Sequence, residues 1–588
     1  MKILVFAPNS EIWVHAFPEA LAVEALQQEG HEIVYVSCGT AFSEFCVPMD
    51  MHRLTPDSTS EEKSAVCRSC SANAAILRGQ FRFPGYSLAE RLGEDERSTA
   101  DTLLGGITRD NFLDFSLDGI PLGRYSVYEF VLRHKLQELR LDDRLWKECR
   151  IGLRNCIYTH LALRRILSEE RPDRLVVYNA LYSVNHIAGA IARSKGVAVY
   201  FVHAGGNIAH RLQKLMIGRG QNVRYYEDAI ERWPAFRGRP CPPMLMAEIT
   251  DHFLELLSGR SGFVYSAPKV AGANDVRSLF GIPPGSRVVT AVMSSPDEML
   301  AARTVDAKQL PANLLFATQI EWIKAVIAFV AARPGLFLIV RVHPREFPNR
   351  REGLKSQHAL KLEEALQALP SNARVNWPDQ NVSLYALAEE TGVFLNVHSS
   401  AGKEMSVLGL PVVLYSDSLA LYPSGINYVG LTQEQYFAQI EQALAAGWNA
   451  AHIREAYRWL AVEYGYGLLD ISDSYVQRET MRPDLPQRVL NRAMRFFDPK
   501  HREKSDCRRR AGRLAAGRLV NSIIAGGKAS VLDAADPARL GSATEAEETA
   551  ALRVEMRRII SALYGAEAQS PSGSLHASLH RFAHDSSP

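Results

Sequence analysis

Two short stretches carry residues that could act on a phosphate. One reads Arg341-Val342-His343-Pro344-Arg345, the other His398-Ser399-Ser400-Ala401-Gly402-Lys403-Glu404. An imidazole, paired hydroxyls and guanidinium groups can all donate hydrogen bonds to an oxyanion, and the cations also offset its charge. Glu404 falls one turn after Ser400. If Ser400 caps a helix, that carboxylate faces the same side as the hydroxyls, although a first-turn Glu also simply complements a helix dipole.

The elements around these residues place them at the ends of strands. Phe337–Val342 is apolar apart from Arg341, the pattern of a strand buried on both faces of a parallel sheet. It stops at His343-Pro344, because proline lacks the N–H that a central strand needs. Val393–Val397 repeats the pattern and stops at His398-Ser399-Ser400. A helix over Ala401–Leu408 follows, with Ser399 or Ser400 as its N-cap. In open α/β sheets, ligands bind outside the carboxyl ends of the strands, and a capped helix start beside a cation suits phosphate. The spacing therefore predicts a nucleotide or phosphate site formed by Arg341, His343, Arg345, Ser399, Ser400 and Glu404.

The run RVHPRE, followed by HSSAGKE and LGLPVV, resembles the His-Pro and Ser-Ser motifs of bacterial GT-B glycosyltransferases of the capsule-polysaccharide type. These include Kdo transferases and sialyltransferases and, more distantly, CDP-glycerol polyol-phosphate transferases. The match continues upstream through Val288–Glu298 and Ala317–Phe329, while the N-terminal half matches in style alone. The resemblance implies a GT-B fold: two Rossmann-like doubly wound domains facing a cleft. It also implies inverting transfer from a nucleotide-activated sugar, CMP-linked, to a saccharide or lipid-linked saccharide. The nucleotide sugar is then a substrate, and no resident cofactor is expected.

Residue roles follow from the resemblance. His343 would give a hydrogen bond or a proton to the leaving phosphate, with Arg341 or Arg345 adding charge. Ser399 and Ser400 would donate hydroxyls, and Glu404 would hold the ribose. The catalytic base would come from the first domain. Leu117-Asp118-Gly119 keeps only the second acid and the glycine of an acid-acid-glycine motif, which makes Asp118 the candidate, with Glu11 as its rival. His203-Ala204-Gly205-Gly206 would be a cleft loop, since glycines after a strand let backbone approach a ligand. Three other functions share parts of this pattern: a CDP-glycerol-type polyol-phosphate transferase, a sugar-nucleotide epimerase, and a non-catalytic nucleotide-binding partner in polysaccharide assembly.

The 588 residues suit two or three domains. Lys2–Ala7, Trp13–Gln28 and Glu32–Ser37 read as strand, helix and strand, the start of a doubly wound domain at 1–260 with a cysteine-containing insertion. No glycine occurs between Met1 and Gln28, which excludes a G-x-G-x-x-G fingerprint there. A second Rossmann-like domain is expected over 276–500. A tail at 501–588, basic and then low in complexity, is expected to be partly disordered with one helix near Glu545–Tyr564.

Formal net charge is +2, so bulk charge gives no reason to expect a nucleic-acid partner. No apolar run approaches the ~18 residues of a membrane helix. A cytoplasmic protein is expected; the basic His501–Arg518 reads first as a solvated tail, with peripheral contact at the inner face of the membrane as the alternative. The chain contains no strict D-x-D, so no metal is expected in the transfer site. Eight cysteines are present. Cys38, Cys46, Cys67 and Cys70 cluster in sequence, but their spacing does not match a zinc knuckle, and reduced thiols are the expectation.

Overall fold

A computed structural model of the chain describes residues 1–265, 267–269, 275–311, 313–349, 353–474, 489, 490, 493, 514–535, 541, 543–571 and 573–584. The strands, in chain order, are β1 Lys2–Ala7, β2 Glu32–Ser37, β3 Gly85–Ser87, β4 Arg174–Tyr178, β5 Ala198–Ala204, β6 Lys214–Arg219, β7 Arg287–Val292, β8 Leu336–Arg341, β9 Ala373–Asn376, β10 Thr391–Asn396, β11 Val412–Leu414, β12 Tyr428–Val429 and β13 Leu469–Asp470. They form two sheets, ordered β13-β6-β5-β4-β1-β2-β3 and β12-β11-β10-β7-β8-β9. The second sheet is parallel throughout. The first is parallel except where β6 runs against β5 and β13. Two doubly wound domains therefore face each other across a cleft, the GT-B plan.

The central strands are apolar on both sides because both sides are covered. Leu4 and Phe6 enter one core and Ile3 and Val5 the other. Burying each such side chain stabilises the fold by roughly 1.5–3 kcal/mol. Strand order reverses between β1 and β4 in the first sheet and between β7 and β10 in the second. Each reversal opens a crevice at the carboxyl ends, and those crevices meet at the cleft.

Several expectations need correction. Glu227–Leu257 reads as one helical run but is divided into Asn222–Arg232, Trp233–Ala235 and Pro243–Ser258. Pro234, Pro240, Pro242 and Pro243 break it, since proline cannot continue a helix interior. β6 was not expected: only its middle residues are apolar, and it is an antiparallel addition to a parallel sheet. The second domain ends before residue 500. After the helix Ala450–Ala461 the chain makes a π turn at Val462–Tyr466 and returns to the first sheet, pairing Leu469 with Leu215.

The described part of the tail holds more helix than expected. Gly517–Ile524 buries Val520 and Ile523 beside α1, Trp13–Gln28. Glu545–Tyr564 forms as anticipated and packs along Pro243–Ser258, with Arg458 paired to Glu545 and Glu548. Ser574–His584 packs against it. Residues 501–513, which hold most of the basic stretch, lie outside the described residues. Among the described residues, no helix is long and apolar enough to cross a membrane.

Candidate functional site

β8 and β10 end side by side with β7 between them, and this brings His343, Ser399, Ser400 and Glu404 to one cavity of about 290 Å³ between the domains. His343 caps a short turn at Pro344–Glu346, and its Nδ1 accepts the Arg345 N–H at 3.2 Å. In the neutral ring the remaining proton is therefore on Nε2. Burial, followed by the nearby charges of Arg345 and Arg341, pushes the His343 pKa down to about 3. The group offered to the cleft at neutral pH is thus a neutral N–H.

The two serines differ in their bonding. Ser399 Oγ accepts from the Ala401 N–H at 3.3 Å, which leaves its own proton free. Ser400 Oγ donates to Glu404 Oε1 at 2.8 Å, and Tyr385 donates to Glu404 Oε2 at 2.9 Å. Glu404 is thereby fixed with lone pairs left on both oxygens. The helix that carries it, Ala401–Val407, starts against Asn396, whose amide donates to the Ser399 carbonyl at 2.9 Å and to Tyr422 at 3.1 Å. A Cβ on Gly402 would collide with both Tyr422 and Asn396, so glycine is required there.

The facing wall comes from the first domain: Gly206, Ile208, Arg211, Tyr226 and His252. A Cβ on Gly206 would meet the Tyr464 ring at 3.0 Å, so the glycine lets the domains close up. Arg211 stacks over Phe263 at 4.5 Å and has no carboxylate partner among the described residues. His252 Nδ1 accepts the Ile208 N–H at 3.0 Å, and its other nitrogen lies 3.3 Å from the Tyr464 hydroxyl, so both ring nitrogens are engaged.

The cleft therefore gathers most, but not all, of the expected residues. Arg341 reaches it as a buried guanidinium held by Asn376 at 2.6 Å and the Val382 carbonyl at 2.8 Å. Burial lowers its pKa to about 10, which leaves it charged at neutral pH. Arg345 does not reach it. The turn after Pro344 swings its side chain to Asp297 at 2.8 Å and to the Leu132 carbonyl at 2.9 Å, so it ties the domains together instead. Gly205 is consumed by a tight turn, its N–H donating to Lys214 at 2.9 Å, while His203 sits behind it at the end of β5. Glu11 is tied to His52 at 3.0 Å and Asn73 at 3.3 Å and does not line the cleft cavity.

Asp118 is likewise absent from the cleft lining. It occupies the left-handed region at φ 51° in a turn closed by Leu117 and Ile120. His160 at 2.8 Å and Arg164 bind its carboxylate, and the His160 hydrogen bond holds its pKa below the usual range. Asparagine tolerates the same backbone and can keep the His160 contact. Asp118→Asn should leave transfer near the wild-type rate and change stability by less than about 0.5 kcal/mol. A folded variant that had lost most of its transfer activity would restore Asp118 as the base.

Further residues in and beside the cleft are not evident from the sequence: Lys403 and Glu463 line the cleft cavity, whereas His15 lines a separate cavity of about 10 Å³ with Tyr178 and Asn185. Lys403 pairs with Glu463, both nearly buried, and Trp459 donates to Glu463 at 2.9 Å. These partners lie sixty residues apart, and only the π turn at Val462–Tyr466 presents Glu463 to the cavity. His15, in the first turn of α1, stacks on Tyr178 at 4.4 Å beside the β1/β4 reversal. Its ring nitrogens have no hydrogen-bond partner among the described residues. Burial, then His203 and Arg211, lowers its pKa to about 3.

Cys38, Cys46, Cys67 and Cys70 converge on a separate cavity of about 20 Å³, all as free thiols whose pKa values burial raises. Among the described residues, no three His, Cys, Asp or Glu side chains are arranged to hold a metal ion.

No family model matches the sequence, and no curated protein matches it. Among solved structures, the chain is similar to the spinosyn rhamnosyltransferase SpnG complexed with spinosyn aglycone, at 14% identity and a TM-score of 0.24, over 79% of this chain and 97% of that one. It is similar to the UDP-GlcNAc 2-epimerase from Neisseria meningitidis bound to UDP-GlcNAc, at 11% identity and a TM-score of 0.27, over 79% and 98%. It is also similar to Thermosulfurimonas dismutans KpsC, a beta Kdo 2,4 transferase, at 17% identity and a TM-score of 0.30, over 49% and 79%.

Proposed function

We propose that the protein is an inverting glycosyltransferase. It takes a sugar from a nucleotide-activated donor, CMP-linked, and passes it to a saccharide or lipid-linked saccharide in capsule or surface polysaccharide assembly. The observation that carries this reading is the meeting of His343, Ser399, Ser400 and Glu404 in one cavity opposite Arg211, a cation with no carboxylate partner among the described residues. Phosphate oxygens would take hydrogen bonds from His343 Nε2–H and the Ser399 hydroxyl, with Arg211 and Arg341 offsetting their charge. Glu404 would accept from the ribose hydroxyls. The first domain would supply the base; we assign that role to His15, whose ring is neutral, lies beside the β1/β4 reversal and has no hydrogen-bond partner among the described residues.

In the reaction, the base takes the acceptor hydroxyl proton as that oxygen bonds to the anomeric carbon. The bond from that carbon to the donor phosphate oxygen breaks, and its electron pair leaves with the nucleotide. Protein cations and N–H groups stabilise this charge, so the step as drawn uses no metal ion.

A nucleotide panel tests the proposal. CMP at 100 times its dissociation constant should stabilise the protein by about 2.7 kcal/mol, more than CDP, UDP or GDP at the same concentration. Transfer should continue in EDTA. If no nucleotide raises the melting temperature, the site assignment is wrong. A stronger UDP shift overturns the CMP reading alone, and activity that chelation abolishes and manganese restores overturns the metal-free step.

A further inference from the structure

The loop His398-Ser399-Ser400 has two sides. Ser399 and Ser400 face the cleft, whereas His398 lines a different cavity of about 370 Å³. That cavity lies over the carboxyl ends of β10 and β11, closed on one edge by Gln137 and Glu138 of the first domain. Met299, Leu310, Leu314, Phe316, Tyr415 and Leu419 give it an apolar wall with two aromatic rings.

Its polar groups are unfinished. His358 is 3% exposed, and its Nε2 has no hydrogen-bond partner among the described residues. Its Nδ1 lies 2.6 Å from the Gln137 amide nitrogen, a donor, so the unpartnered Nε2 carries the proton. His398 Nε2 is also buried without a hydrogen-bond partner among the described residues. Leaving a buried polar group unsatisfied costs about 1–3 kcal/mol, so two of them around one cavity call for an occupant. The charges say which kind. Arg303 and Lys361 line the rim, and Arg303 has no ion-pair partner among the described residues. The acid among the lining residues, Glu138, is 3.5 Å from Arg140 and 4.0 Å from Lys361.

We infer that this cavity is a second ligand site, which binds an apolar or aromatic small molecule bearing an anionic group. The ring or chain lies against Phe316, Tyr415 and Met299. The anion takes the His358 Nε2–H and faces Arg303. Because His398 and Ser399 are consecutive, such a ligand sits one residue away from the nucleotide-facing hydroxyls. The site itself stands whether or not the cleft binds a nucleotide.

The probe is 8-anilinonaphthalene-1-sulfonate, an aromatic anion that fluoresces when taken out of water. The folded wild-type chain should bind it saturably. Arg303→Glu, on the exposed rim, should weaken binding by about tenfold or more, the effect of turning a charge-assisted contact into a repulsion. Met299→Trp, which narrows the cavity at its apolar wall, should also weaken it. Phe263→Asp, in the cleft, should leave the affinity unchanged. Melting curves establish that each variant is folded, and if Met299→Trp is not, Arg303→Glu decides alone. Unaltered binding in folded Arg303→Glu overturns the proposal. So does loss of binding in Phe263→Asp, or the absence of saturable binding by the wild type, which would mean a cavity filled by water only.

Discussion

His343→Ala is expected to lower transfer turnover by about 10²–10³-fold, the usual cost of removing one preorganised donor to a developing oxyanion. The bonding of the ring specifies how the effect arises. The Arg345 N–H occupies Nδ1, so Nε2 carries the proton and points to the cavity. Burial and two neighbouring guanidinium groups keep the ring neutral, with a pKa near 3. A neutral ring at pH 7 gives a hydrogen bond to the leaving phosphate and does not hand over a proton. His343→Gln can present an amide N–H near the Nε2 position and should recover part of the loss. His343→Asn reaches only the Nδ1 position and should recover none. The decrease should lie mainly in kcat, because charge on the phosphate oxygen grows as the bond breaks. Steady-state rates on the three folded variants decide the matter. Near-full activity in His343→Ala removes His343 from the chemistry, and equal rates for Gln and Asn remove the Nε2 assignment.

The nucleotide half of the cleft was legible in the sequence because its residues lie next to elements with strong local patterns. Apolar runs that stop at His343-Pro344 and at His398-Ser399-Ser400 mark strand ends without any knowledge of tertiary contacts. Arg341 and His343, two residues apart, share a side as strand periodicity requires. Arg345 was misplaced because that periodicity ends at Pro344, where the chain enters a turn. Asp118 was misread for a related reason: a Gly-terminated turn looks the same at a cleft and on a flank, and only the packing of His160 and Arg164 tells them apart. Lys403 and Glu463 could not be paired from sequence, since their contact depends on the return of the chain after Ala450–Ala461. His15 carried one usable signal, a polar residue in the first turn after β1. It was hidden among the apolar neighbours Trp13, Val14, Ala16 and Phe17, which read as core.

His15→Ala should lower transfer by about 10²–10⁴-fold, the range of a general base. Of the first-domain histidines at this end of the sheet or along the cleft, His252, His203 and His15 differ in their bonding. His252 has both ring nitrogens engaged. His203 Nδ1 lies 2.9 Å from the Ala204 carbonyl, behind the turn at Gly205. His15 has no hydrogen-bond partner among the described residues and lies beside the reversal of strand order between β1 and β4, where an acceptor would enter. Its pKa of about 3 keeps it unprotonated at any pH above about 5. Burial is the main cause of this depression and makes His15 a weak base; an anionic phosphate near Arg211 would offset the smaller part that comes from nearby positive charge. The competing role is structural, since the ring stacks on Tyr178. His15→Phe keeps an aromatic ring on Tyr178 and has no nitrogen. It should melt close to the wild type, keep the nucleotide-induced shift, and lose as much transfer as His15→Ala. In the wild type, kcat/KM should show no ionisation of this group between pH 8 and about 5. A His15→Phe variant that turns over at the wild-type rate would reduce His15 to packing and leave the acceptor proton to another group on the first-domain wall.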